Sequence, residues 1–269
     1  MDLFAALEDW PVRRLAAAAI DASGDVRTFG DPDEPFALAS VTKLITALAV
    51  LVAHEEGTID LDEVITDAGA TTADLLAHAG GLGFDSLRQI ARPHVRRIYS
   101  STAYDLLGEI VGVRAEMRFP AYVQDAVLAP LGMSRTEVSG SPGAGAVSTI
   151  TDLLRLSSGW TDELVVHRAT LHRAVTPHLP DLAGVVPGFG RQSPNPWGLG
   201  PEIRGRKAPH WTGTLNSATT FGHFGQSGTF VWIDPEAGCT LAVLTDEPFG
   251  PWAADRWPRL ADTVLRPDH

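Results

Sequence analysis

Cysteine is almost missing from this chain: Cys239 stands alone among 269 residues, so no internal disulfide can staple the fold. Its place in the apolar run Cys239 to Leu244 marks a small core residue rather than a catalytic thiol. Long hydrophobic runs are missing too, since Leu44 to Ala53 reaches about half of the ~20 residues a membrane helix needs. Met1, Asp2, Leu3 and Phe4 lead to acidic Glu8 and Asp9 without the basic segment of a secretory signal. A soluble, cytoplasmic protein without a membrane partner is the expectation. Positive charge is also short, with 33 acidic against 21 basic residues and a net charge of -12. That balance repels phosphate backbones, so nucleic acid is not an expected partner.

Lysine is the sharpest deficit, because the 21 basic residues comprise two lysines, Lys43 and Lys207, and 19 arginines. Arginine serves wherever a surface cation is enough, whereas a site that must lose a proton from an amine cannot use it. What remains is ordinary: 44% hydrophobic residues, 20% charged residues and a mean hydropathy of +0.02. Such a chain can bury a full core in one or two domains without metals or disulfides.

Along the chain, Arg14 to Phe29 reads as a hairpin across Ser23-Gly24-Asp25, although its alanines favour helix. From Ser40 to Glu56 apolar positions nearly surround a helix that Gly57 ends, so that helix is buried. Thr71 to Asp74 resembles a capping box opening a short helix through His78. Further helices are expected at Thr102 to Arg114, Phe119 to Leu128, Asp152 to Leu156 and Asp162 to His172. Prolines and glycines after Pro177 mark a long irregular connection, Pro180 to Gly198, at the edge of a cleft. Strands are expected at Ala218 to Gly225, Thr229 to Asp234 and Thr240 to Thr245. A closing helix around Trp257 must bend at Pro258 or begin there. This order fits an α/β (α+β) fold: an antiparallel sheet flanked by helices, built from both termini, with an all-helical insertion. The division expected is 1–57 with 187–269 for the sheet domain and 58–186 for the insertion.

Three clusters can carry chemistry. Ser40-Val41-Thr42-Lys43 sets a hydroxyl and an amine one turn apart on an apolar helix. A desolvated lysine can lose its proton and then deprotonate the serine; the plainer alternative is an N-capping serine with a first-turn surface lysine. Tyr99-Ser100-Ser101 offers a proton relay and a hydroxyl for a substrate carbonyl, or simply a helix cap. Gly222-His223-Phe224-Gly225 lets a substrate approach a strand edge, or holds a structural histidine.

Taken in order, Ser40/Lys43, Tyr99/Ser101 and His223/Gly225 resemble the Ser-x-x-Lys, Tyr-x-Asn and His-x-Gly motifs of the serine β-lactamase and penicillin-binding-protein family. The likeness is greatest to its class C-like and esterase branch. It extends to Leu75–Leu82, Leu106–Val111, Pro130–Met133 and Val147–Thr149, covering roughly residues 36 to 245. The resemblance implies Ser40 as acylated nucleophile and Lys43 with Tyr99 as base and proton shuttle. It further implies an oxyanion hole from the N–H groups of Ser40 and Gln226, with Ser101, His223 and Gly225 binding substrate. No metal or cofactor is implied. Ser101 stands where relatives carry asparagine and His223 where β-lactamases carry lysine, so an esterase or small-amide hydrolase is expected over a β-lactamase or D-peptidase. A silent penicillin-recognising binding protein is the third reading.

Competing sites are weaker. Gly225-Gln226-Ser227-Gly228 lacks the final glycine of a nucleophile elbow. His167 and His172 lie on different helix faces and read as surface residues. Arg204-Gly205-Arg206-Lys207 reads as a solvated loop.

Overall fold

A computed structural model of the chain describes residues 4–266; the Met1 to Leu3 start read above lies outside them. The expected hairpin forms as β1 (Leu15–Ile20) and β2 (Val26–Phe29). Then follow β3 (Phe36–Ala37), one 3-10 turn at Ala39–Val41, and α1 (Thr42–Glu55). Gly57, at φ +77°, takes the left-handed turn after α1. Beyond it come α2 (Thr72–Leu76), α3 (Thr102–Arg114) and α4 (Phe119–Val123), which runs into a π-helical turn at Gln124–Leu128. The capping box is real, with Asp74 N–H donating to Thr71 Oγ1 and Thr71 N–H to the Asp74 carboxylate. The chain continues through β4 (Glu137–Val138), β5 (Ala146–Ser148), α5 (Ile150–Thr161) and α6 (Arg168–Ala174). It ends with β6 (Gly184–Val186), β7 (Gly190–Gln192), β8 (Glu202–Ile203), β9 (Phe221–Gly225), β10 (Thr229–Asp234), β11 (Cys239–Thr245) and α7 (Pro251–Leu265).

Six strands make one antiparallel sheet in the order β2-β1-β11-β10-β9-β8. Alternation along its strands splits the core in two. Ala16, Ala18, Val231, Ile233, Ala242 and Leu244 face the side that holds α1 and α5. Ala17, Ala19, Phe230, Trp232, Leu241 and Val243 face Trp257 and Leu260 of α7. Burial on both faces explains why the alanine-rich β1 is a strand against its local propensity. Among the described residues no helix is long and apolar enough to cross a membrane.

Several expected boundaries move. The helix expected at Asp162 begins only at Arg168, because the Glu55 and Glu163 carboxylates accept the N–H groups of His167 and Arg168. The Ala218 strand begins at Phe221, since the Asp234 carboxylate binds Ser217 N–H and Thr220 Oγ1 and holds them in a turn. The Thr240 strand starts one residue earlier, at Cys239. The irregular connection contains the β6–β7 hairpin. The last helix begins at Pro251 and runs through Pro258.

Candidate active site

Where β3 meets α1, Ala39 is held at φ +44°, a backbone region that costs an alanine roughly 1–2 kcal/mol. Strain of this kind persists only where neighbours enforce it. Here Thr229 Oγ1 donates to Leu38 O at 2.9 Å and Ser227 Oγ donates to Ala37 O at 2.7 Å. Ser227 is thereby tied to the backbone that holds the turn. Gly225 completes the clamp, since a Cβ there would lie 2.3 Å from Leu38 O. Gly225→Ala is therefore expected to push β9 away from the Ser40 turn. A misplacement of about 1 Å costs ~10²-fold in rate, to be read as kcat on a 4-nitrophenyl ester beside an unchanged circular dichroism spectrum.

The turn presents Ser40 half-buried at the mouth of α1. Lys43 is fully buried one turn on. Its Nζ lies 2.7 Å from Gly143 O, 3.1 Å from Ser101 Oγ and 3.4 Å from Ser40 Oγ. Burial pulls the Lys43 amine down to about 7, against the opposing pull of Asp105. Asp105 also accepts Ser141 Oγ–H and Gly143 N–H, fixing the loop whose carbonyl meets the amine. Gly143 O can only accept, so the lone pair of a neutral Lys43 must face a hydroxyl proton, that of Ser40 or of Ser101.

Tyr99 closes the other side. Its hydroxyl hydrogen-bonds Ser40, and burial raises the phenol against that bond; its ring lies 4.9 Å from Lys43 Nζ. His223 Nδ1–H donates to Phe224 O at 2.7 Å, leaving Nε2 to accept Tyr99 O–H at 3.4 Å. Burial and the nearby Lys43 bring His223 down to about 3, so it stays neutral. The residues singled out in sequence, Ser40, Lys43, Tyr99, Ser101, His223 and Gly225, thus meet in one place. Ser101 contacts the Lys43 amine there, and Gln226 follows Gly225 at the end of β9.

Sequence reasoning missed Gly143, Asp105, Trp197 and His78 as parts of this site. His78 is buried, with its ring 4.4 Å from that of Tyr99 and 4.8 Å from that of Trp197. Its Nδ1 accepts Ser100 N–H at 3.1 Å. A positive φ of 56° at a non-glycine residue is its mark in the backbone, one that sequence does not display.

The solvated reading of Lys207 is wrong. Its side chain is buried, 2.5 Å from Glu202 Oε1, and also donates to Asn195 Oδ1 and Pro196 O. Glu202 in addition accepts His210 Nε2–H and Trp211 Nε1–H. Burial alone would raise the Glu202 carboxyl, yet Lys207 and His210 hold it well below the usual range. His167 and His172 are exposed, as expected.

An antiparallel sheet with a Ser-x-x-Lys pair between its edge and the helices is the architecture of a β-lactamase-like serine hydrolase. The sequence profile of the β-lactamase family matches residues 15–265, and the chain belongs to that family. A solved structure from Mycobacterium bovis, described as a β-lactamase, is 46% identical, covers 98% of both chains and superposes with a TM-score of 0.94. Two more distant structures show the same fold. Simvastatin synthase from Aspergillus terreus is 19% identical over 97% of this chain and 95% of that one, at a TM-score of 0.76. EstCE1, described as a hydrolase with promiscuous acyltransferase activity, is 18% identical over 97% and 96%, at 0.80. No curated protein matches the chain.

Proposed function

We propose that the protein hydrolyses a small ester or amide through an acyl-enzyme on Ser40. The observation that carries this reading is Lys43, an amine brought down to about 7 by burial and set 3.4 Å from Ser40 Oγ. Neutral Lys43 takes the Oγ proton as Oγ attacks the substrate carbonyl carbon, and the oxyanion that forms is met by the N–H groups of Ser40 and Gln226. The C–O or C–N bond then breaks as the leaving group receives a proton through Tyr99. Water attacks the acyl-enzyme by the reverse proton route. Because burial raises the Tyr99 phenol, Lys43 is the resting base and Tyr99 the relay. Ser101 orients the Lys43 amine, while His223 and Gly225 line the substrate side. The same reading takes 58–186 as an insertion in a sheet domain made of 1–57 and 187–269, with Ser40 at their seam; the insertion is not all-helical as expected, because it also holds β4, β5 and β6, and β5 pairs with both β4 and β3.

A fluorophosphonate is expected to leave one adduct, placed on Ser40 by peptide mapping and absent from Ser40→Ala. An adduct on Ser227 overturns the assignment. Hydrolysis of β-lactams is the second reading, favoured by the description of the 46% identical Mycobacterium bovis protein. Comparing kcat/KM on 4-nitrophenyl esters and on nitrocefin decides between them. Because Ser101 and His223 replace an amide and an amine, the esters are expected to be the better substrates, and a preference for nitrocefin reverses the order.

A further inference from the structure

We propose that the cleft beside Tyr99 is a subsite for substrates whose apolar chain ends in an oxyanion, a carboxylate or a phosphate. The proposal deepens the acyl-enzyme reading and names the substrate class of that site. The cleft, of about 710 Å³, is lined by Phe84, Val95, Tyr99, Val185 and three arginines, Arg96, Arg97 and Arg191, with no carboxylate in its wall. This size lies within the ~300–1,000 Å³ of small-molecule sites.

Its apolar surface is open to solvent: Phe84 is 57% exposed, Val185 61% and Val95 64%. Clustered exposure of large apolar side chains beside a reactive centre marks a binding surface. Phe84 also stacks on Tyr99, with centroids 6.0 Å apart, so the apolar wall runs directly into the residue that touches Ser40.

Charge supplies the second half. Arg114, Arg135 and Arg173 are each tied to an acid, namely Glu63, Asp33 and Asp62. Arg96 and Arg191 have no ion-pair partner among the described residues. Four arginines stand in the segment 84–97 against one acid, Asp85, in a chain of net charge -12. Two free guanidinium groups at the rim of an acid-free apolar cleft match an oxyanion at the end of a hydrocarbon chain.

The cleft is also preformed. Arg97 N–H donates to Ala183 O at 2.8 Å, and the Arg97 guanidinium is spent on the carbonyls of Ala77, Asn195, His178 and Leu179. Buried Asp74 accepts His94 Nε2–H at 2.8 Å and His178 Nε2–H at 2.9 Å, which ties together the segments leading into Val95 and into Ala183.

The test uses the 4-nitrophenyl monoester of suberic acid, its methyl-capped neutral twin, and a 4-nitrophenyl octanoate carrying a terminal phosphate. One or both anionic esters are expected to exceed the neutral twin in kcat/KM at low salt, the preferred one identifying the head group. In Arg96→Gln/Arg191→Gln the ratio of anionic to neutral kcat/KM is expected to fall by about fivefold to tenfold, as for two exposed charge contacts. Raising salt to about 0.5 M should shrink the same ratio in the wild-type protein, which needs no variant to fold. Binding to Ser40→Ala by calorimetry reads the subsite without turnover. Tighter binding of an anionic ester there supports the subsite even if no ester is hydrolysed, an outcome that would sink only the acyl-enzyme reading. Equal binding and equal kcat/KM for all three esters overturn the subsite.

Discussion

Lys43→Arg is expected to fold and to lose ester hydrolysis by about 10²- to 10⁴-fold in kcat/KM, the cost of removing a positioned base. The substitution keeps the positive charge, but a guanidinium does not deprotonate in proteins and offers no lone pair to Ser40. Its bulk beside Gly143 O and Ser101 must be separated from lost chemistry, so Lys43→Met, close in shape and uncharged, is measured alongside. Both variants should be inactive while retaining the wild-type circular dichroism spectrum. The pH profile gives a second reading. The Lys43 amine acts deprotonated and sits at about 7, so wild-type kcat/KM should rise with pH through about 7 and be lost below it. Residual turnover in Lys43→Met should lack that limb. Linkage has the same sign: the amine is below its unfolded value of 10.5, so the unfolded chain binds more protons between pH 7 and 10.5. Stability from this group therefore grows as pH rises across that window. A folded Lys43→Arg enzyme with near-normal kcat would refute the base assignment.

Much of this was legible in sequence, for identifiable reasons. Ser40, Lys43, Tyr99, Ser101 and His223 meet through their side chains, and the rarity of lysine separates Lys43 from charges that only solubilise. Gly143 contributes a carbonyl, which every residue possesses; only the fold brings it to a lysine 100 positions away. The hairpin signal at Ser23 to Asp25 overrides the alanine propensity of β1 because β2 and β11 pair with both its edges and the two core clusters bury both its faces. Helix starts were misplaced where a distant carboxylate supplies the cap, as Glu55 does for His167. Lys207 was misread from its arginine neighbours, although Glu202 five positions before it carried the signal and the lysine scarcity applied equally.

Lys207→Ala is expected to cost about 3–5 kcal/mol of stability, because it leaves Glu202 as an uncompensated buried charge. For a chain of this size that corresponds to a fall of roughly 10 °C in Tm. Burial lowers the Lys207 amine to about 8 and Glu202 opposes that fall, so below pH 8 the native pair is charged. Burial likewise takes His210 down to about 4, and in the wild-type protein it remains neutral near pH 7. Without Lys207, a proton taken up by the Glu202–His210 pair would restore neutrality. The folded variant then binds more protons than the unfolded chain near neutral pH, and its stability deficit should narrow as pH falls. Lys207→Met should show the same loss, and combining it with Glu202→Gln removes both charges and should recover most of it, a coupling that the cycle of Lys207→Met, Glu202→Gln and the double variant measures directly. The network lies behind Trp197, whose ring is 5.8 Å from Lys207 Nζ and 5.9 Å from the Tyr99 ring. Lys207→Ala should accordingly still be labelled at Ser40 below its lowered Tm. An unchanged Tm would show that solvent, and not the Glu202 carboxylate, satisfies this lysine.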